Sequence, residues 1–260
     1  MIADQLIPVV LCFGGHDPSG GAGIQADIEA IAAGQCHATP IVTALTEQDT
    51  QQVYSYQAVH AESLFAEASR IFADMNPAVI KVGMVASQEN LQVIVELSTQ
   101  NKHLPLVVDP VLAATVGSSL SDESMAHGLL KELIPMATVI TPNTEELAKL
   151  TGKSDQQEAV AMLLATGCKA VLVTGTHADT PDVTNTLYRP NQPPLAREWP
   201  RLPYSYHGSG CTLASAIAAG LARGNGLEQA VITAQTYTWN SLERASRPGK
   251  GQWLPRRLIS

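Results

Sequence analysis

A cysteine at the junction between a glycine-rich loop and a helical pattern is the first candidate for chemistry. Cys211 stands in the stretch YHGSGCTLASAIAAGLARG, directly after Gly208, Ser209 and Gly210. These small residues expose backbone amides at a predicted helix N-terminus, where unpaired N–H groups and the helix dipole both favour an anion. The stretch therefore predicts a phosphate site with a thiol beside it. A small residue packed under the loop is the alternative for that thiol.

Polar side chains also follow two apolar runs. Asp109 comes near the end of LPLVVDPVL, and Asn143 and Glu146 stand three residues apart in TPNTEEL, at a predicted helix start. This spacing is typical of a capping box, in which Asn143 caps the helix and Glu146 bonds back to it. The same spacing suits Mg²⁺ held through water, because that ion keeps most of its hydration shell. Both interpretations stay open at this point.

The first apolar run, IPVVLCF, leads into the glycine-rich segment GGHDPSGGAGIQAD. Its GAGIQA portion matches a dinucleotide-binding pattern, but that fingerprint begins where its strand ends. We expect the strand to end near Phe13, so that HDPS intervenes and disfavours a dinucleotide site. A loop that merely turns the chain is the alternative. Asp27, one turn into the following helix, can face back toward the pocket of the loop.

Two further residues could contact a flat ring. Gln48 follows a buried strand, and its amide offers a donor and an acceptor that suit the edge of a heterocycle such as a pyrimidine. Met84, just past Gly83, could lay a polarizable thioether on such a ring. A polar turn and a core methionine are the respective alternatives.

The elements that must position these residues alternate along the chain. Short, continuously apolar runs such as IPVVLCF, TPIVTAL, AVIKVGMVA and KAVLVTG alternate with helical patterns. Runs of this kind suit strands that are covered on both faces, which predicts a parallel sheet with crossover helices. DVTNTLYRP and PLAREWP predict an antiparallel edge hairpin. We expect one α/β domain over residues 1–260, with ligands at the carboxyl ends of the strands.

Composition excludes several classes of partner. The formal net charge of −8 argues against nucleic-acid or anionic-membrane surfaces, which need clustered Lys and Arg. The stretch MIADQLIPVVLCF has no basic n-region, and its apolar run is too short to span a bilayer. Four widely separated cysteines without a CxxC pair fit reduced thiols. We therefore expect a cytoplasmic protein that acts on small molecules.

Taken in order, these segments resemble one family over nearly the whole chain. DPSGGAGIQAD, KVGM, DPV, TPN with a Glu three residues after the Asn, and HGSGCTLASAIA together are similar to hydroxymethylpyrimidine/phosphomethylpyrimidine kinases of the ribokinase-like superfamily. The resemblance implies a three-layer α/β/α fold with a mostly parallel central sheet. It also implies ATP- and Mg²⁺-dependent phosphorylation of 4-amino-5-hydroxymethyl-2-methylpyrimidine and then of its monophosphate, toward thiamine, by a homodimer.

The resemblance also assigns roles to residues. The pyrimidine contacts that it implies are those of Gly15, Asp27, Gln48 and Met84. The implied ATP and phosphate contacts, beside the amides of Gly208, Ser209 and Gly210, are those of Asn143, Thr174 and Thr212. The implied magnesium site, through water, consists of Asp109, Asn143 and Glu146.

The same resemblance suggests a reason for the thiol. Most ribokinase-like enzymes carry Asp at the end of this glycine loop as the base for the hydroxyl proton, and this family resembles the present chain in having Cys. A helix N-terminus and neighbouring cations can lower a thiol pKa to roughly 3.5 to 7.5. We therefore expect Cys211 to act as a thiolate base.

Two departures from the family pattern bear on the substrate. Thr174, in TGTH, replaces a lysine common in the family, and Glu47 and Asp49 flank Gln48. The acids would repel a phosphate if they faced the pocket, but an extended strand would turn them away from the side of Gln48. We expect weaker second-step phosphorylation. The alternatives are a pyridoxal or pyridoxine kinase and a catalytically silent pyrimidine-binding sensor.

Overall fold

A nine-stranded sheet runs through the computed structural model, which describes residues 7–112, 119–176 and 180–258. Its strands are β1 (Val9–His16), β2 (His37–Gln48), β3 (Val53–Ala58), β4 (Val79–Val82), β5 (Leu106–Val108), β6 (Val139–Ile140), β7 (Val171–Thr174), β8 (Asp182–Tyr188) and β9 (Leu195–Pro200). They lie in the order β3-β2-β1-β4-β5-β6-β7-β8-β9. Neighbours from β2 to β7 pair in parallel, whereas β3, β8 and β9 pair antiparallel. The predicted edge hairpin is therefore confirmed.

Eight α-helices accompany these strands in the described ranges. They are α1 (Gly23–Ala33), α2 (Ala61–Met75), α3 (Gln88–Gln100), α4 (Ser119–Gly128), α5 (Thr144–Thr151), α6 (Gln156–Ala165), α7 (Ser209–Ala222) and α8 (Leu227–Glu243). A π-helical turn, Leu129–Leu133, and a 3-10 turn, Ile134–Met136, follow α4. None of the helices in the described part of the chain combines the length and apolarity needed to cross a bilayer.

Helices cover both faces of the sheet, which explains why its central strands read as continuous apolar runs. On one face, residues from α2, α3, α5 and α6 pack with Leu11 and Phe13 of β1. On the other face, residues from α1, α7 and α8 pack with Val10 and Cys12 of the same strand. The α/β/α layering that the family resemblance implies is thereby confirmed.

Two strand boundaries differ from the sequence-based expectation. β1 continues past Phe13 to His16, because Gly14 and Gly15 stay extended and pair with β2 across a register shift. The segment after Gln48, predicted as a loop, turns back as β3 and pairs antiparallel with β2. The side chains of β3 are exposed or half-buried, so this strand lacks the apolar run by which the parallel strands were predicted.

Candidate active site

The carboxyl ends of the parallel strands bring the candidate residues to one edge of the sheet. Gly15 lies near the end of β1 and Met84 just beyond β4, and a β-carbon on Gly15 would lie 2.9 Å from Met84 Sδ. Farther along the edge, Asn143 follows β6 and forms a parallel bridge with Thr174 at the end of β7. The residues predicted to bind the ring and those predicted to bind phosphate therefore share this edge. His177, the last residue of TGTH, lies outside the described residues.

The N-terminus of α7 is left uncapped at this edge. Its N-cap is Gly208, whose φ of 77° lies in the left-handed region, and no side chain caps the helix. A β-carbon on Gly208 would collide with the carbonyl oxygen of Gly21, so glycine is required where the two loops touch. The first amides of the helix are those of Ser209, Gly210 and Cys211. Such amides lack intrahelical acceptors and can bind an anion.

Thr212 has a different position from that of a direct phosphate ligand. Its side chain is fully buried, and its hydroxyl donates to Gly208 O at 2.7 Å. The same hydroxyl accepts a hydrogen bond from Arg257 Nε at 2.8 Å, and the Thr212 amide donates to Gly208 O. The Thr212 hydroxyl therefore holds the turn at Gly208. In this position it does not make the direct phosphate contact that the resemblance implies.

Arg257 is a buried residue that sequence reasoning missed. Besides Thr212, its guanidinium contacts Glu29 at 3.1 Å and donates to the carbonyl of Gly21. It thereby joins the C-terminal segment to the loop before α1 and to the start of α7. An isolated arginine near a chain end carries no periodicity, so nothing in the sequence distinguished it from a surface residue.

The environment of Cys211 opposes the expected thiolate. Desolvation, the largest cause, and the charge of Asp109 together raise the pKa of its thiol to about 12, and Lys81 only partly offsets them. The expectation that the helix N-terminus and nearby cations lower this pKa is therefore wrong for the resting site, because desolvation outweighs them. The thiol is protonated near neutral pH.

A buried ion pair lies beneath the thiol. Lys81, in β4, is fully buried, and its Nζ lies 2.8 Å from Asp27 Oδ1. Burial, the largest single cause, opposes the charge of this lysine, but the attractions of Asp27, Cys211 and Asp109 together outweigh it and raise the pKa of Lys81. Ser215 Oγ also donates to Asp27 Oδ1, at 2.6 Å, whereas Oδ2 has no protein partner in the described part of the chain. The carboxylate of Asp27, which was predicted to contact the ring, therefore already forms an ion pair with Lys81. The lone lysine within AVIKVGMVA was the signal for this pair.

Gln48 belongs to a hydrogen-bonded chain of three side chains. Its amide lies 2.6 Å from His207 Nε2, and that nitrogen lies 2.9 Å from Asp17 Oδ2. Asp17 also accepts hydrogen bonds from Ser19 and from the amide of Ala22. The motifs DPSGG and HGSGC contain Asp17 and His207, but neither residue could be assigned a role, because His207 is separated from Gln48 by 159 positions and from Asp17 by 190.

The two acids that flank Gln48 are engaged away from it. Glu47 is exposed and accepts from Ser55 Oγ on β3 at 2.9 Å. Asp49 accepts from the amides of Gln51 and Gln52 in the turn, and these bonds lower its pKa. A register shift separates Glu47 from Gln48 in the pairing of β2 with β3, so the position of Glu47 follows from its bond to Ser55 and not from strand alternation. Of the two alternatives that the sequence left open, these contacts favour the one in which both acids are turned away from Gln48.

Asn143 and Glu146 form the capping box. Asn143 Oδ1 accepts from the amide of Glu146 at 2.8 Å, and Glu146 Oε2 accepts from the amide of Asn143 at 2.9 Å. Burial and the nearby charge of Asp109 raise the pKa of Glu146 to about 8. Burial also raises the pKa of Asp109, whose Oδ2 has no protein partner among the described residues.

This carboxylate pair fits a hydrated cation better than a fully protein-bound one. Over residues 7–112, 119–176 and 180–258 no cluster of three His, Cys, Asp or Glu could hold a metal ion. Two neighbouring carboxyls with raised pKa values, one of them with an unpartnered oxygen, gain from a nearby positive charge. A Mg²⁺ ion that keeps most of its water would satisfy both without further side-chain ligands.

Comparison with known proteins gives two independent likenesses. A hydroxymethylpyrimidine/phosphomethylpyrimidine kinase from Rhizobium meliloti is 36% identical over 254 residues, which are 94% of each chain. The crystal structure of a phosphomethylpyrimidine kinase from Clostridium difficile superposes with a TM-score of 0.75 at 31% identity, covering 91% of this chain and 99% of that one.

The fold extends to a third protein. A pyridoxal kinase from Bacillus subtilis, solved as an ADP complex, has a TM-score of 0.88, and the match covers 96% of this chain and 97% of that one. Its 24% identity shows the shared fold alone.

The family model described as phosphomethylpyrimidine kinase matches residues 17–255, which include every candidate residue except Gly15. The chain therefore belongs to the phosphomethylpyrimidine kinase family.

Proposed function

We propose that this protein transfers the γ-phosphoryl group of ATP to 4-amino-5-hydroxymethyl-2-methylpyrimidine and then to its monophosphate, as a kinase of thiamine biosynthesis. One observation carries the proposal within the family assignment. His207 contacts the amide of Gln48, and the next residue, Gly208, is the N-cap of the uncapped helix α7. A ring held at Gln48 would therefore have its hydroxymethyl group next to the amides that bind phosphate.

The residues of the site form two groups, one that binds the pyrimidine ring and one that binds the phosphates. Gln48 supplies the polar contact to the ring edge, and Met84, against Gly15, supplies an apolar surface for its face. The amides of Gly210 and Cys211 hold the transferring phosphoryl group, because an uncapped helix start attracts negative charge. We assign Asn143 and Thr174 to the nucleotide phosphates. Nucleotide binding is supported by the ADP complex of the pyridoxal kinase with the same fold.

Magnesium would be held through water by Asp109 and Glu146, with Asn143 keeping Glu146 in place through the capping box. When bound there, the ion supplies positive charge that neutralises the phosphates. Lys81 and Arg257 do not fill that role, because Lys81 is paired with Asp27 and Arg257 is buried against Thr212 and Glu29.

Cys211 remains our proposed acceptor for the hydroxyl proton, with a condition set by its surroundings. Because the resting thiol is protonated, it must first release its own proton, and the fraction of thiolate grows as pH rises toward the raised pKa of the thiol. Phosphoryl transfer depends mainly on positioning and charge neutralisation, so this base contributes only about 100- to 10,000-fold.

A turnover screen tests the proposed function. ATP consumption is measured with the pyrimidine alcohol, its monophosphate, pyridoxine and pyridoxal, and phosphorus NMR identifies each product. We expect kcat/KM for the pyrimidine alcohol to exceed that for either B6 vitamer by at least about 100-fold, or about 2.7 kcal/mol. A preference for the vitamers would assign a B6 kinase. Pyrimidine binding without ATP consumption would assign a silent sensor.

We further propose that residues 1–260 act as one kinase domain, as a homodimer in the cytoplasm, without nucleic-acid or membrane partners. The sheet is continuous from β3 to β9, and the C-terminal segment returns to it where Gln252 N donates to Thr50 O at 2.8 Å. The net charge of −8 disfavours polyanions. Light scattering coupled to size exclusion measures the oligomeric state, and a single cooperative unfolding transition is expected for one domain.

A further inference from the structure

Two contacts converge on one ring nitrogen in the chain Asp17–His207–Gln48. His207 Nε2 lies 2.9 Å from Asp17 Oδ2 and 2.6 Å from the terminal amide of Gln48. The Asp17 side chain is buried, and the His207 side chain is only 19% exposed. Both distances are those of hydrogen bonds, so the single nitrogen must satisfy two partners at once.

Asp17 decides whether that nitrogen carries a hydrogen. Its carboxylate accepts from the Ser19 amide, the Ser19 hydroxyl and the Ala22 amide, at 2.8 to 2.9 Å. Burial opposes its ionisation, but the bonds from His207 and Ser19 outweigh that effect and hold the pKa of Asp17 far below its usual range. An ionised carboxylate only accepts hydrogen bonds. His207 Nε2 must therefore be an N–H group, since a lone pair there would face the negative oxygen.

The hydrogen on His207 in turn fixes the amide of Gln48. The structure places Gln48 Nε2 at 2.6 Å from His207 Nε2, but an N–H group cannot accept from an amide NH₂, so the amide must be flipped, with its carbonyl oxygen facing His207. The oxygen and nitrogen of such an amide have nearly the same shape, and the hydrogen-bond network determines which is which. The amide NH₂ is then directed away from His207. In the described part of the chain it has no other protein partner.

We propose that Asp17 and His207 are positioning residues that lock the Gln48 amide with its N–H donors toward the substrate, so that the site selects heterocycles with a ring-nitrogen acceptor at that edge. This inference rests on the proposed role of Gln48 in ring binding. It restricts the substrate class, because a ring that offers C–H or N–H at the same edge would leave the amide donors unpaired.

The packing around His207 keeps the imidazole in place. A β-carbon on Gly21 would collide with His207 Cδ2, so the glycine lets the ring lie against the loop before α1. On the other side, the His207 amide donates to Trp253 O at 2.9 Å. The ring is thus held by its backbone and by a close contact, apart from its two side-chain partners.

Matched variants test the proposal. His207→Gln retains an amide N–H near the position of Nε2, whereas His207→Leu removes every donor, and His60→Gln changes an exposed histidine as the control. We expect His207→Leu to raise KM for the pyrimidine alcohol about tenfold, or about 1.4 kcal/mol, with KM for ATP unchanged. His207→Gln and His60→Gln should stay near wild type. Equal effects of the two His207 variants, or equal rises in both KM values, would overturn the proposal.

Ring analogues and NMR complete the test. Each pyrimidine ring nitrogen is replaced in turn by C–H; we expect one analogue to lose about tenfold in kcat/KM with wild type and not with His207→Leu. Nitrogen-15 NMR of the resting protein should show a protonated His207 Nε2, and an unprotonated Nε2 would refute the proposal. This measurement needs no substrate. It therefore separates failure of the proposed Asp17–His207–Gln48 hydrogen bonding from failure of the proposed kinase activity.

Discussion

At the scale of single residues, the chemistry of this site is governed by desolvation. Cys211 stands at a helix N-terminus, a position that by itself favours a thiolate. Cys211 is only half-buried, but desolvation of its thiol and the charge of Asp109 raise its pKa, and the nearby Lys81 is already paired with Asp27. The helix dipole contributes only about 0.3 to 1 kcal/mol, which is less than a shift of even one pKa unit. The resting enzyme therefore holds Cys211, the proposed proton acceptor, in its protonated form.

The pH dependence of turnover follows from this raised pKa. Because the thiolate fraction grows as pH rises toward about 12, we expect wild-type kcat to increase with pH through the neutral and alkaline range. Cys211→Ala should lower kcat by about 100-fold and abolish that increase, with KM for the pyrimidine alcohol nearly unchanged, because a base acts in the transition state. Steady-state kinetics over a pH series measure both. A matching rise in KM would indicate a packing role.

The buried pair of Lys81 and Asp27 should be costly to break from one side. Lys81→Met leaves an uncompensated buried carboxylate, so we expect the free energy of unfolding to fall by about 3 to 5 kcal/mol. Replacing both members, by Lys81→Met with Asp27→Leu, should recover part of that loss. Urea unfolding of four proteins, namely the wild type, the two single variants and the double variant, measures it. If the double variant were less stable than Lys81→Met by the full single cost of Asp27→Leu, the two residues would not be coupled.

At the scale of elements, the site depends on how strands and helices end. The side chains of Gln48, Met84 and Asn143 could be predicted to share one edge because parallel strands present their carboxyl ends together. The hairpin partner β3 could not, because its exposed side chains gave no apolar run. The end of β1 was also missed, since two glycines read as a loop although they remain paired in the sheet.

The first turn of α5 links helix capping to the proposed magnesium site. Glu146 has a pKa raised to about 8, above its ordinary value of 4.5. A carboxyl with a raised folded-state pKa stabilises the fold below its unfolded pKa, and that contribution is lost as pH rises through the folded value. We therefore expect wild type to lose stability relative to Glu146→Gln between about pH 4.5 and pH 8.

Glu146→Gln is a suitable comparison because glutamine can still accept the amide hydrogen bond of the capping box. Urea unfolding of both proteins across this pH range gives the difference directly. Added Mg²⁺ should reduce the loss for wild type and have little effect on the variant, because only the carboxylate pair attracts the ion. A pH-independent difference would mean that Glu146 is ionised without penalty in the folded protein.

At the scale of the whole molecule, contacts between distant segments complete the site. His207 and Gln48 are separated by 159 positions, and Arg257 and Gly21 by 236. The order of motifs along the chain predicted the family and the fold, because each motif could be recognised by itself. The Asp17–His207–Gln48 chain could not be predicted in that way, because it exists only once the loop before α7 docks against the loop before α1.

The balance of charge over the molecule bears on the second phosphorylation. The net charge is −8, and the monophosphate must bring further negative charge beside the ATP phosphates. Since Glu47 and Asp49 are bonded within the β2–β3 hairpin, their repulsion is screened by solvent at the exposed surface. Thr174 lies instead at the end of β7, beside Asn143. Of the two departures from the family pattern, the missing lysine at Thr174 is therefore the one that bears directly on the proposed phosphate site.

Thr174→Lys should therefore favour the monophosphate, whereas Glu47→Gln, which keeps the hydrogen bond to Ser55, is the matched control. One added charge is worth about 1 kcal/mol at 4 Å in bulk water and about 4 near a protein surface. We accordingly expect at least about a fivefold gain in kcat/KM for the monophosphate relative to the alcohol with Thr174→Lys, and no change with Glu47→Gln. Kinetics at two salt concentrations measure this, because a surface electrostatic gain must shrink as salt rises. A response to Glu47→Gln but not to Thr174→Lys would reverse the assignment and locate the phosphate of the incoming substrate near the hairpin.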